Sequence, residues 1–244
     1  MNTQELPYVF FSDQEYENVL AGNHHIVSAE ETRHLRGSLR KKGTFSIALT
    51  NGRGHILPCE VTQKNEVILI DKEFIMEKSK KIRLISPLIK KKGLQFLLQK
   101  CTETGVDEFH FISSSFDNSR EFSQSRLDKI VLEACKQSKN PFLPKVIIQN
   151  TPLRELYISE KDFTFWGMPG AEKNLFSFEE QIKRMQTCNF INGPEGGWSP
   201  AEENYLKNRF PIVNLSKNVL RAETAAISAM YHLSLYVNVI QKKR

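Results

Sequence analysis

The order of apolar and polar positions divides the chain in two near residues 76–82. Before that point short apolar runs recur: "YVFF" (8–11), "FSIALT" (45–50), "GHILPCEV" (54–61) and "EVILID" (66–71). Short apolar runs bounded by turn residues predict strands. The turns here are "NGRG" (51–54) and "QKNE" (63–66). Asn51-Gly52 between two such runs is a hairpin signal, because both residues tolerate the positive φ of a tight hairpin turn. The clearest helix of this half is 29–40, "AEETRHLRGSLR". The first half therefore reads as a small β-rich domain with one or two helices.

After residue 82 strands and helices alternate. The strand-like runs are "IRLISPLI" (82–89), "EFHFIS" (108–113), "FTFWGM" (163–168), "CNFING" (188–193) and "PIVNLS" (211–216). Between them Leu94, Leu97, Leu98 and Cys101 recur at helical spacing, with Gly105 as a C-terminal cap. Leu127, Ile130, Val131, Ala134 and Cys135 repeat that stripe. Such alternation predicts an α/β fold with a mainly parallel sheet covered by helices. Ligands of such sheets bind in loops beyond the C-terminal ends of the strands. A last helix is expected to carry Ala222, Ala225, Ala226, Ala229, Met230, Leu233, Val237 and Ile240 on one apolar stripe. Ile227, Tyr231 and Leu235 fall on another face. A helix apolar on two faces needs two covers, either a monomer core or a dimer interface.

Composition adds bounds. A chain of 244 residues, 40% hydrophobic and 25% charged, suits one large or two small folded domains and excludes wholesale disorder. The net charge of +6 is compatible with an anionic partner without specifying one. Cys59, Cys101, Cys135 and Cys188 are far apart, with no CxxC pair, so no metal is expected and buried free thiols in a reducing cytosol are. The N-terminus lacks a signal-peptide pattern, and no run is long and apolar enough to span a membrane. The expectation is a cytoplasmic protein without a membrane partner.

Candidate chemistry concentrates in two stretches. In "INGPEGGWSPAEENYL" (191–206), Ser199, Pro200 and Glu202 form a capping box with proline at the first helical position. The glycines before it let backbone approach a ligand closely. The loop has neither GxGxxG nor GxxxxGK[ST] spacing and holds no Lys or Arg. Glu195 at its centre would repel a polyphosphate, so a cationic, polar or amide-bearing ligand fits better. A plain strand-to-helix turn is the alternative. In "LSKNVLRAETAAISAM" (215–230), Arg221 and Glu223 flank another helix start among small residues. Glu223 there is explained by the helix dipole, whereas Arg221 opposes it and calls for a carboxylate or an anionic ligand.

These two stretches, in this order, resemble the signature of the ribosomal RNA small subunit methyltransferase E family, of the SPOUT class. "RHLRGSLR" (33–40), "LLQKCTETGVDEF" (97–109) and "EACKQS" (133–138) agree, so the resemblance spans nearly the whole chain. It implies a PUA-like β-barrel RNA-binding domain over 1–76, followed by a SPOUT α/β-knot methyltransferase domain with a deep trefoil knot over 77–244. It also implies a homodimer through the knot domain and its C-terminal helix. The implied cofactor is S-adenosylmethionine, a sulfonium without phosphate, held by three loops. Those loops map to Trp166, Gly167, Met168 and Pro169; to Asn192, Gly193, Pro194, Glu195, Gly196 and Gly197; and to Leu215, Ser216, Asn218, Val219 and Leu220, with Thr224 and Ala225 of the next helix. Glu195 either faces the sulfonium or caps backbone N–H groups that shape its loop, and the sequence leaves both open.

The implied reaction is methylation of N3 of a uridine in 16S ribosomal RNA, as naked RNA or in the 30S subunit. Uracil N3 must lose a proton before it attacks, so a base or an anion stabiliser is needed. Arg221 is the candidate stabiliser, and Glu223 and Glu195 are the candidate bases. Alternatives are a SPOUT enzyme acting on tRNA or a ribose 2′-hydroxyl, and a non-catalytic RNA-binding assembly factor. RNA contacts are expected from Arg33, His34, Arg36, Arg40, Lys41 and Lys42, and from Lys90, Lys91 and Lys92. Lys78, Lys80, Lys81 and Arg83 extend that basic surface around the first strand of the second half. Solvated faces are the alternative for each cluster. Relatives often have arginines where this chain has Ser113–Phe116 and Ser138–Asn140, and a glycine where it has Ser216.

Overall fold

The computed structural model describes residues 3–243 apart from 24, 40–42 and 116–121. The chain divides into two compact units. The first comprises residues 1–77, 135–143 and 239–244; the second comprises 78–134 and 144–238.

The first unit is built on a mostly antiparallel sheet. Strands β1 (Tyr8–Phe10), β3 (Phe45–Thr50), β4 (His55–Val61), β5 (Glu66–Leu69) and β2 (His25–Ile26) are neighbours in that order. β6 (Phe74–Lys78) joins β4, and β13 (Val239–Lys243) joins β6. The expected hairpin is present: β3 and β4 pair in antiparallel register, Phe45 opposite Val61 and Thr50 opposite Ile56. Gly52 and Gly54 in its turn take φ of 74° and 90°. A side chain at Gly54 would collide with the Met76 carbonyl, so only glycine fits there. Helices α1 (Asp13–Leu20) and α2 (Ala29–Leu39) also belong to this unit. Tyr16, Val19, Leu35, Phe45, Ile47, Leu57 and Val61 share one buried cluster.

The second unit holds a six-stranded parallel sheet in the order β12 (Ile212–Val213), β10 (Phe163–Gly167), β11 (Thr187–Ile191), β7 (Lys81–Pro87), β8 (Glu108–Ser113), β9 (Lys145–Pro152). The chain runs β7, β8, β9 toward one edge, then crosses to β10 and returns to insert β11 beside β7. The order therefore reverses at β7 and β11, where a crevice opens beyond the C-terminal strand ends. Helices α3 (Lys91–Glu103), α4 (Gln124–Ser138), α5 (Glu179–Arg184), α6 (Pro200–Arg209) and α7 (Ala222–Ser234) connect or cover the strands, and α3 packs against α7. All four cysteines are free and buried, and burial pushes the Cys59 thiol up to about 12. Among the described residues no helix is long and apolar enough to cross a membrane.

The structure departs from the sequence reading at the last helix and adds a strand. The last helix does not reach Ile240: α7 ends at Ser234, and Val239–Lys243 is strand β13. The Ser79 N–H donates to the Asn238 carbonyl, and the Asn238 N–H to Ser79 Oγ, both at 2.9 Å, which draws the chain off the helical path. Val237, Val239 and Ile240 are β-branched and favour the extended form. Strand β9 carries no expectation from the apolar pattern; it is an edge strand, and none of its described residues is fully buried. Residues 135–143 and 239–244 group with the first unit. Lys136 there pairs with Glu31 at 3.0 Å, and Leu143 N–H donates to the Gly52 carbonyl at 2.8 Å.

Candidate functional site

Strands β11, β10 and β12 are adjacent and parallel, so their C-terminal ends lie side by side. The segments that follow them enclose a cavity of about 780 Å³. The segments brace one another. A methyl group on Gly167 would lie 3.2 Å from Leu215 Cδ1, so the bare glycine lets the loops after β10 and β12 meet. One on Gly193 would lie 3.2 Å from Trp198 Nε1, which folds the loop after β11 onto itself. Gly197 takes φ of 77° and its N–H donates to the Pro194 carbonyl at 3.0 Å, closing a turn. Behind the loops Ile85, Ile112, Trp166, Ile191 and Leu206 form a buried cluster.

The capping box of α6 is present. Glu202 N–H donates to Ser199 Oγ at 3.4 Å, and Ser199 N–H donates to the Glu202 carboxylate at 2.8 Å. The Ser115 N–H also donates to Glu202, at 3.2 Å, so the end of β8 is tied to the same helix start. Burial alone would raise the Glu202 carboxyl, but these bonds from Ser199 and Ser115 hold it below the usual carboxylate range.

The cavity collects most of the expected residues. Trp166, Gly167, Met168 and Pro169 line it from the first loop. Asn192, Gly193, Pro194, Glu195 and Gly197 line it from the second, and Leu215, Ser216, Asn218, Leu220, Arg221, Glu223 and Ala225 from the third. Gly196, Val219 and Thr224 are not in its wall, and Val219 is 81% exposed. Five lining residues lay outside the expectation: Phe190, Trp198, Glu203, Asn214 and Ala222. Four of them lie within two positions of an expected residue, so widening the loops would have found them; Glu203 lies six beyond Gly197, in α6. Lys90, expected at RNA, also lines the cavity. It follows β7 at the reversal of strand order, and that rule alone could have placed it.

The charged groups of the wall are unequal in their attachments. Glu195 accepts a hydrogen bond from the Lys90 N–H at 3.3 Å and lies 3.4 Å from Lys90 Nζ. Glu203 pairs with Lys207 along α6. Among the described residues neither Arg221 nor Glu223 has a hydrogen bond or ion pair from its side chain. Arg221 is the N-cap residue of α7, without a side-chain cap bond. A methyl group on Gly93, in the first turn of α3, would lie 3.5 Å from Glu223 Oε2, so that helix start leaves room for the carboxylate. With Glu195 answered by Lys90 and Glu203 by Lys207, the wall is close to neutral and holds no cluster of cations for a polyphosphate.

The basic residues divide differently from the expectation. Arg36 donates to the Gly43 and Thr62 carbonyls at 2.9 and 3.1 Å, and its guanidinium lies 5.3 Å from the Phe45 ring centroid. It fastens α2 to the sheet, and that attachment accounts for its charge without RNA. Lys80 donates to the Ile182, Lys183 and Met185 carbonyls, and Lys78 pairs with Asp107 at 2.7 Å. Arg83 bonds Glu108 at 2.8 Å and Asp162 at 3.3 Å. Burial would raise Glu108, but hydrogen bonds from Arg83 and His110 and the charges of Arg83 and Lys81 hold it at about 2. The basic surface expected from Lys78, Lys80, Lys81 and Arg83 is thus a set of internal attachments. Arg33, Lys91 and Lys92 are exposed. His34 lies in α2, with its side chain outside the described residues, as are Arg40, Lys41, Lys42 and Phe116.

A parallel α/β sheet with a loop-built cavity at its C-terminal edge is the frame of a cofactor-dependent enzyme. The family described as the RNA methyltransferase domain matches residues 76–234, and the chain belongs to it. Curated relatives named ribosomal RNA small subunit methyltransferase E narrow the comparison. The protein of that name from Mesomycoplasma hyopneumoniae is 27% identical, covering 90% of this chain and 96% of its own. The one from Aquifex aeolicus is 26% identical, covering 91% and 96%. A crystal structure of a ribosomal RNA small subunit methyltransferase E from Neisseria gonorrhoeae bound to S-adenosyl methionine shares the fold. Its TM-score is 0.78 at 24% identity, over 94% of this chain and 97% of that one.

Proposed function

We propose that this RNA methyltransferase transfers a methyl group from S-adenosylmethionine to N3 of a uridine in 16S ribosomal RNA. The cavity carries the proposal: its loops follow three adjacent parallel strands, and its wall is close to neutral, Glu195 being paired with Lys90 and Glu203 with Lys207, with Arg221 and Glu223 beside them and no cluster of cations. That balance disfavours a polyphosphate and accepts a sulfonium. The three loops would hold the cofactor through Gly167, Met168, Gly193, Gly197, Leu215 and Leu220. When bound, S-adenosylmethionine supplies an electrophilic methyl group.

The chain's own part is to prepare the nucleophile. Uracil N3 carries a proton, and its loss leaves negative charge on O2 and O4. Arg221, at the start of α7 and without a partner among the described residues, stabilises that charge, and the helix N-terminus adds to its field. Glu223, whose carboxylate is equally unattached among the described residues, accepts the proton. Holding the base in line with the methyl group supplies further rate.

The proposal includes a PUA-like barrel built on residues 1–76, RNA contacts from Arg33, Lys91 and Lys92, and a trefoil knot in the second unit. The insertion of β11 beside β7 and the close packing of Gly167 on Leu215 support the knot. A homodimer in the cytoplasm completes the reading. The exposed Tyr231 of α7, Leu235 at its C-cap, and Phe176 edge-on to His232 offer an apolar face for it.

The test is methyl transfer by the purified protein from labelled S-adenosylmethionine to small ribosomal subunits, followed by nucleoside analysis. Label in 3-methyluridine is expected. Label on a ribose 2′-oxygen, or none on RNA, would overturn the assignment.

A further inference from the structure

Helix α3 begins without a cap of its own. Its N-cap residue is Lys90, which makes no side-chain cap bond. Three residues on, where a capping box places Glu or Gln, the chain has Gly93. The missing carboxylate comes from the loop after β11. Glu195 Oε1 accepts from the Lys90 backbone N–H at 3.3 Å, and Oε2 lies 3.4 Å from Lys90 Nζ. The bond to the N-cap N–H is the one a Glu at the third position would make.

The consequence falls on the cavity. Glu195 stands between the buried Pro194 and two exposed glycines, Gly196 and Gly197, which have no side chains to anchor the loop tip. Its carboxylate therefore ties that tip to the segment after β7, the strand paired with β11. Glu223 differs: its carboxylate is free among the described residues and so available for proton transfer.

We propose that Glu195 is a positioning residue. It braces the loop on the first residue of α3, so that the cavity is formed before the cofactor arrives, and it takes no part in removing the N3 proton. Preformed loops bind more tightly because less order must be created on binding. The inference rests on the reading of the cavity as an S-adenosylmethionine site.

The test compares the wild-type protein with Glu195→Ala, Glu195→Gln and Lys90→Ala, measuring S-adenosylmethionine affinity by calorimetry and turnover at saturating cofactor. Glu195→Ala is expected to weaken the cofactor by about tenfold, the loss of a charge-assisted bond, with turnover at saturation within about twofold of wild type. Glu195→Gln keeps an acceptor for the Lys90 N–H and should recover most of the affinity. Lys90→Ala keeps the N–H and should lose less than Glu195→Ala. Unchanged affinity in Glu195→Ala overturns the brace, as does a collapse of turnover at saturation. If Glu195→Ala does not fold, Glu195→Gln decides. Affinity a few-fold below wild type with near-normal turnover supports the brace, and wild-type affinity or lost turnover at intact affinity overturns it. Failure of the wild-type protein to bind S-adenosylmethionine would instead sink the cofactor reading itself.

Discussion

The two ends of strand β7 carry similar cationic runs and use them in opposite ways. At its N-terminal end Lys78, Lys80, Lys81 and Arg83 all meet carboxylates or carbonyls within the second unit. At its C-terminal end Lys91 and Lys92 are exposed and, among the described residues, make no ion pair, while Lys90 joins the cavity wall through Glu195. Counting charge cannot tell these ends apart. What separates them is whether acceptors are near: strand starts here face Asp107, Glu108 and Asp162, and the C-terminal end of the strand faces the open crevice. A basic segment is a phosphate-contact candidate only after its internal partners have been excluded.

The comparison breaks most visibly at Arg83. Arg83→Ala removes the cation paired with Asp162 and leaves Glu108 with Lys81 and His110, and losing hydrogen bonds to charged groups in this part-buried cluster costs about 1.5–3 kcal/mol. Urea unfolding should show that loss, with cofactor affinity unchanged below the transition. A loss under about 1 kcal/mol would mark the pair as a surface contact.

Arg221 lies at the other extreme, an arginine without a side-chain partner among the described residues. Arg221→Ala should lower turnover by about 10²–10³ and leave stability and cofactor affinity close to wild type. Unchanged turnover would remove it as the anion stabiliser.

Acid separates the ends next. Glu108 is held at about 2 against an ordinary 4.5. A depressed carboxyl contributes stability that is complete above its unfolded value and is lost as pH falls through its folded one. Stability should therefore decline from about pH 4.5 toward about pH 2. Glu108→Gln should flatten that decline; an unaltered acid profile would contradict the assignment.

The smallest effect belongs to the exposed lysines. Lys91→Ala with Lys92→Ala should weaken RNA binding and reduce its salt slope by roughly 1–2, with stability changed by no more than about 0.5 kcal/mol. An unaltered slope would make them a solvated face.

Much of the cavity was legible in the sequence because glycines, a capping box and small helix-start residues are local signals. Gly193, Gly197, Ser199 and Glu202 announce a strand, a turn and a helix within one short segment. What was not legible depends on distant partners. Nothing near Glu195 points to Lys90, which lies 105 positions away. Arg36 reads as a surface arginine until the Gly43 and Thr62 carbonyls are placed beside it. The end of α7 was misplaced for the same reason. Its apolar stripe continues in sequence past Ser234, but Ser79 binds Asn238 and β6 takes up the following residues as β13.

The most direct measurement is mass mapping of 16S ribosomal RNA from cells that carry the gene and cells that lack it. One uridine base is expected to lose a methyl group in the cells that lack it and to regain it with the wild-type chain but not with Arg221→Ala. Identical methylation of 16S ribosomal RNA in both cells would contradict the assignment of substrate and reaction together.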